Sequence, residues 1–373
     1  MNPYPAVDPI PLPAPVWLVK LLHVVTLALH FVAVEMLLGG LLLAILLSLF
    51  RKSPHSLVVA KALARRMTVV MTFVINLGVP PLLFAQVLYG RALYTSSVLI
   101  GLYWIAIIPA LMLVYWLLYQ FSARLDQGKS SWWVGLIAWL VAGGVARTLT
   151  TNMTLMLRPE AWRDMYSASA MGAYLPMGDP TLTPRWLLMM AGGLLIAGLW
   201  MVYLAGRSTF TAEEKRFVAG LGGKVAAGFG IVYLAAGLWA ASVQPDQVKA
   251  GLAGHTLYPA YKFAGFAGYG WIALVVVAVL VGAIAGFRKI AAWWLGWAGV
   301  LAAVLVEILL TVYRDGVRDV TLLSKGYDVW NQAVVTNWGV VGLFLLLFVA
   351  GLGVIGWLVS VVARAQKTME GAA

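Results

Sequence analysis

The chain has 373 residues, of which 62% are hydrophobic and 11% are charged. A soluble globular domain carries about 25% charged residues, so water cannot cover most of this surface and lipid has to. Cysteine is absent, which excludes disulfides, thiolate metal sites, iron–sulfur ligation and covalently attached c-type haem in this chain.

The N-terminus is rich in proline (Pro3, Pro5, Pro9, Pro11, Pro13, Pro15) and has no Lys or Arg before Lys20. It lacks the basic start of a signal peptide. Residues 1–16 read as an extended outer segment leading into the first span. Nine stretches reach the roughly 20 apolar residues that a membrane helix needs, at about 17–48, 67–89, 97–121, 132–156, 186–206, 218–241, 264–287, 290–313 and 337–363. The expected fold is therefore all-α, a polytopic membrane helix bundle, with residues 1–373 forming a single integral membrane domain. Pro80-Pro81 predicts a kink in the second span. The glycine pairs Gly39-Gly40, Gly143-Gly144, Gly192-Gly193 and Gly222-Gly223 suit close helix approach.

The formal net charge of +12 would suggest nucleic acid in a soluble protein. Here the positives lie between apolar spans and report topology. With the loop after the first span placed inside, the inner segments hold fourteen positives and four acids, and the outer segments nine positives and eight acids. The inner net of +10 against an outer +1 predicts the N-terminus outside and the C-terminus inside, in a multi-pass protein of the bacterial inner (cytoplasmic) membrane. No nucleic-acid partner is required.

Three outer connections are long enough to hold structure: 157–185 with Trp162, Tyr166 and Tyr174; 242–262 with His255; and 314–336 with Arg314, Asp315, Arg318, Asp319 and Trp330. They suit docking of an outer partner or interfacial anchoring. On the inner side, residues 56–66 could form a short basic helix on the lipid surface.

Ionisable residues within a bilayer are costly and are functional hypotheses by default. Span one carries Lys20, His23, His30 and Glu35; span four Arg147, span six Lys224 and span eight Glu307. His23 and His30, seven residues apart, share a helix face about 10 Å apart along the axis. Two turns of separation prevent both from binding one metal atom. They could serve two cofactors, or one could ligate while the other hydrogen-bonds a propionate or a quinone; hydrogen bonds to neighbouring helices are the plain alternative. Arg147 calls for an anionic partner, for which Glu35, Glu307 or a propionate would serve. Lys20 and Lys224, nearer span ends, could snorkel. No Walker loop, zinc-protease motif or hydrolase elbow is present.

The nine-span plan together with the first helix resembles subunit I of the cytochrome bd-type quinol oxidases. Leu29-His30-Phe31 leading into Leu38-Gly39-Gly40 resembles the family's first-helix haem ligand and the small-apolar run after it. Asp179-Pro180 through Pro184-Arg185-Trp186 is similar to the family's start of span five, Tyr258 to Lys262 to the aromatic stretch before span seven, and Val306-Glu307 to its span-eight Val-Glu. The resemblance implies b-type haem, one or two groups, with His30 on the haem iron and His23, Glu307 and Arg147 lining the site. It also departs from the family. The low-spin haem ligands of spans five and seven fall on Leu188 and Ala264, the span-three acids near Tyr103 and Leu111, the span-two glutamate on Gln86, and the quinol loop shrinks to about 242–262. The expectation is a membrane redox subunit that exchanges electrons with an outer c-type cytochrome or another membrane subunit, with quinone a possible ligand, rather than an independent oxygen reductase. A haem-free scaffold subunit and a transporter using Glu35, Arg147 and Glu307 are the alternatives.

Overall fold

The computed structural model describes residues 3–5, 10–129, 131–175, 178–207, 210–254 and 258–371, with the side chains of 359 and 362–371 left aside. His255 lies outside the described residues. Nine helices among those residues are long and apolar enough to cross a membrane. In chain order the helices are α1 (Val16–Phe50), α2 (His55–Leu99), α3 (Gly101–Asp126), α4 (Trp132–Leu155), the short α5 (Trp162–Ala168), α6 (Leu182–Arg207), α7 (Ala212–Ser242), the short α8 (Asp246–Leu252), α9 (Pro259–Arg288), α10 (Trp293–Ser324) and α11 (Trp338–Gly371). An odd number of spans puts the two ends of the chain on opposite sides of the bilayer.

α1 is the shared wall of two groups of helices. It packs against α2 and α4 on one side and against α6 and α10 on the other, while α7 and α9 complete the second group. One apolar core, with Leu41, Met67, Phe121 and Met201, runs from the first group into α6 and α7. The second, with Leu195, Val275 and Val306, lies between α6, α7, α9 and α10. Backbone approach joins α1 to the second group and tightens that group itself. A Cβ on Gly39 of α1 would fall on the Gly193 carbonyl of α6, and one on Gly223 of α7 on the Gly286 backbone of α9. Of the four glycine pairs, Gly143-Gly144 does not serve in this way: Gly144 faces open space and Gly143 meets only the Trp186 ring, 3.8 Å away.

The second span differs from expectation at both ends. Residues 56–66 continue α2 instead of lying on the lipid surface, and Val59, Ala60, Leu63 and Ala64 are buried. The helix passes Pro80-Pro81 and breaks at Tyr89 (φ −123°, ψ 15°). A break frees main-chain carbonyls, and Leu88 O is taken up by Tyr327 OH at 3.1 Å and Gln332 Nε2 at 3.0 Å.

α10 also runs further than expected. The connection placed at 314–336 is helical to Ser324, so Arg314, Asp315, Arg318 and Asp319 stand on α10 and not in a loop. The N-terminal segment joins the chain beyond it: Leu12 N donates to Ala333 O at 2.8 Å and Val335 N to Leu12 O at 2.9 Å. Tyr4 packs edge-on against both Trp162 and Tyr327. The end of the bundle nearest the N-terminus, the outer end by the charge count, is thereby lidded.

Candidate functional site

The side chains that sequence reading singles out fall on different faces of α1. At 100° per residue, His23 and His30 share a face, whereas Glu35 is roughly 140° around the helix from His30. The packing follows that phase. His30 meets α2 and Glu35 faces α10, while Lys20 and His23 lie between them and reach both helices.

His23 is 2% exposed. Its Nδ1 lies 3.1 Å from Pro81 O and its Nε2 lies 3.1 Å from Arg318 Nη1. A carbonyl only accepts and a guanidinium only donates, so Nδ1 carries the proton and Nε2 accepts. Both ring nitrogens are thus engaged within the protein.

Around His23 lies a buried ionic network that the sequence reading missed. Lys20 Nζ donates to Asp315 Oδ2 at 2.9 Å, to Asp319 Oδ1 at 2.6 Å and to Tyr89 OH at 2.7 Å. Tyr89 OH donates to Asp315 Oδ1 at 2.8 Å, Arg318 Nη1 to the same oxygen at 3.2 Å, and Trp330 Nε1 to Asp319 Oδ2 at 3.1 Å. Lys20 and Asp319 are 4% and 1% exposed, so Lys20 does not snorkel. Two cations, Lys20 and Arg318, meet two anions, Asp315 and Asp319, and the charges cancel. Charge cancellation and dense hydrogen bonding are the conditions under which ionic groups persist inside a membrane protein. The signal available in the sequence was the four-residue spacing of Asp315 to Asp319 and of Arg314 to Arg318, which puts each pair on one helix face.

Glu307 and Glu35 form a second polar cell at mid-membrane, 0% and 3% exposed. Tyr233 OH of α7 donates to Glu307 Oε1 at 2.7 Å. Glu35 lies beside the same tyrosine, since a Cβ on Gly192 would meet both Glu35 Oε2 at 2.5 Å and Tyr233 Cε2 at 2.7 Å. The cation facing both is Arg314 of α10, whose guanidinium also stacks 4.6 Å from the centre of the Phe31 ring. Arg147, expected to pair with these acids, stands half-buried on α4. Lys224 is exposed on α7, over the Phe287 ring.

His30 is partly buried, and its ring is seated on α2 where Gly78 leaves room: a Cβ on Gly78 would lie 2.8 Å from His30 Cε1. Its Nδ1 is buried and makes no well-formed hydrogen bond, with the ring in weak reach of the Val74 backbone of α2. A buried imidazole nitrogen so placed fits an axial haem donor. His23 and Glu307 do not join it, since each is held by other protein groups. The residues expected for the low-spin haem, Leu188 and Ala264, are buried apolar side chains of the core. Among the described residues no three His, Asp or Glu side chains converge as a metal site.

The outer loops carry a third ionic contact. Lys325 Nζ donates to Glu160 Oε2 at 2.7 Å and to Leu157 O at 2.8 Å. Partial burial works against the ionised Glu160 carboxyl, but the bond and charge of Lys325, aided by Arg158, hold it below the usual carboxylate range.

No model of a known protein family matches the chain, and no curated protein does. Among solved structures it is similar to the bd oxidase from Geobacillus thermodenitrificans, with a TM-score of 0.68 and 15% sequence identity, over 91% of this chain and 96% of that one. At this identity the likeness is one of fold, and the chain is a membrane helix bundle with the fold of a bd oxidase chain.

Proposed function

We propose that this chain is a subunit of a respiratory membrane complex in the bacterial inner membrane, carrying one b-type haem on His30 and exchanging electrons with an outer c-type cytochrome or a second membrane subunit. The observation that carries the reading is the buried Nδ1 of His30, which makes no well-formed hydrogen bond, within a bd-oxidase-like bundle. A haem held there would supply one-electron transfer between its ferric and ferrous states. The chain's own part is to seat the His30 ring on Gly78 and to keep water from it with Phe31 and α2. A second haem is not part of the proposal, because His23 and Glu307 are occupied by protein partners. Along α11 the window Trp338–Leu358 is only 6% buried, which leaves apolar surface for lipid or for a neighbouring subunit.

A haem-free scaffold is the competing reading. It is favoured by Leu188 and Ala264, which stand where the resemblance expects the low-spin ligands. A reduced-minus-oxidised visible spectrum of the detergent-purified chain, with pyridine-haemochrome quantification, separates the two. A b-type band at about one haem per chain, lost in His30→Ala, is the expected result. A haem-replete preparation without a band leaves the scaffold.

A further inference from the structure

The Glu35–Glu307 cell does not depend on haem at His30 and has a chemistry of its own. Both carboxyls sit near the middle of their helices, α1 (Val16–Phe50) and α10 (Trp293–Ser324), far from either water phase. α6 is hollowed to admit one of them: a Cβ on Gly192 would lie 2.5 Å from Glu35 Oε2 and 2.7 Å from Tyr233 Cε2. Tyr233 is 0% exposed and spends its hydroxyl proton on Glu307. Trp271 of α9 packs its ring edge-on against Tyr233, with centroids 5.3 Å apart, and closes the far side. The Oε2 atoms of both glutamates are buried without a hydrogen-bond partner, as is Oγ1 of Thr311, one turn on from Glu307.

The charged and titratable groups facing the pair are few. Arg314 comes from α10 and Tyr233 from α7, while α6 offers only Gly192 at this level. Two carboxylates side by side cannot hydrogen-bond each other, and two negative charges in a dry interior repel strongly. One proton between them removes both problems, leaving a single negative charge for the single positive charge of Arg314. A second proton would leave the Arg314 charge unbalanced in the cell, and loss of the only proton would restore the repulsion. A metal cation suits the cell poorly, because Tyr233 presents a hydroxyl hydrogen and Arg314 a positive charge.

We propose that Glu35 and Glu307 together hold one exchangeable proton at mid-membrane, with Arg314 as counter-charge and Tyr233 as the fixed donor to Glu307, so that the pair is a proton-storing site of the bundle. The proton passes between a carboxyl oxygen and water or a neighbouring group, with no other bond made or broken.

Infrared difference spectroscopy of the full chain in lipid nanodiscs tests this. Wild type at neutral pH should show a protonated-carboxyl C=O band that shifts down in D2O, and both Glu35→Gln and Glu307→Gln should abolish it. A wild-type spectrum without that band, or a band that survives in both variants, overturns the proposal. So does a band removed by saturable binding of added Na⁺ or Ca²⁺, which would make the cell a cation site. Should neither Gln variant fold, Tyr233→Phe should shift the band, and an unmoved band would equally overturn it.

Discussion

Lys20→Met is the sharpest test of the ionic network beneath the N-terminal lid. The substitution keeps the stem length and removes an ammonium that donates to Asp315, Asp319 and Tyr89. Arg318 is then left facing two aspartates, and the buried cluster goes from neutral to one net negative charge. Removing one partner of a buried ion pair costs about 3–5 kcal/mol, because the charge left behind is uncompensated. That is a factor of roughly 10² to 10³ or more in the folding equilibrium. The companion variant Lys20→Met/Asp319→Asn restores neutrality. Its asparagine still offers an oxygen to Trp330 Nε1, the donor at 3.1 Å, and the loss should fall to about 1–2 kcal/mol, the scale of the missing hydrogen bonds. Unfolding in a mixed-micelle denaturant titration, followed by tryptophan fluorescence, measures both. A Lys20→Met loss under about 1 kcal/mol, with no recovery in the double variant, would refute the assignment of Lys20 as the cation that balances these aspartates.

Three further outcomes are expected. Gly39→Leu should collapse the α1–α6 contact, since even a Cβ would land on the Gly193 carbonyl; the cost is upwards of about 1–3 kcal/mol, read as loss of the monodisperse peak on size exclusion. Tyr327→Phe alone should cost under about 1 kcal/mol while Gln332 still bonds Leu88 O, and Tyr327→Phe with Gln332→Ala about 1–3 kcal/mol by the same unfolding titration, a non-additive result because only the pair leaves the carbonyl unmatched. The Glu160 carboxyl is held low by Lys325, so its contribution is complete above the unfolded value near 4.3 and disappears as pH falls through the lower folded one; with a side chain 57% exposed it is worth a few tenths of a kcal/mol, and the gap in melting temperature between wild type and Glu160→Gln should close in acid. A gap that widens there would contradict the pairing.

The membrane class, the nine spans and the bd-oxidase-like fold were legible in the sequence because apolar length and the order of spans are read along the chain. The polar interior was not. Hydropathy ends a span at its first cluster of charges, which truncated α10 at residue 313 and sent Asp315, Arg318 and Asp319 into a loop. The same rule treated Lys20 as a side chain at a span end, since its counter-ions lie about 300 residues away in sequence. A kink was expected in α2 at Pro80-Pro81, and the residue with non-helical dihedrals is Tyr89. There the local backbone preference yields to what Tyr89 gains from the aspartates and what Leu88 O gains from Tyr327 and Gln332.

The phase of α1 explains why four candidate residues do not make one pocket. Glu35 stands on one side of the helix and His30 on another, because 100° per residue carries position 35 roughly 140° past position 30, and Lys20 and His23 lie between and reach both α2 and α10. α2 offers the histidines main-chain partners and a glycine seat, at Pro81 O and Gly78. α10 offers a row of ionisable groups at 307, 314, 315, 318 and 319, of which Arg318 also reaches His23. A cofactor bridging His30 and Glu307 would have to draw on both sides of one helix. His30 is instead seated on α2 and Glu35 is enclosed with Glu307 and Tyr233, which leaves one site suited to a single axial donor and another suited to a proton. The spectrum of His30→Ala and the infrared band of Glu307→Gln therefore report on separate sites, and neither substitution should disturb the other's signal. Loss of a haem band in Glu307→Gln, with its fold intact, would place both residues on one cofactor and refute this division of α1.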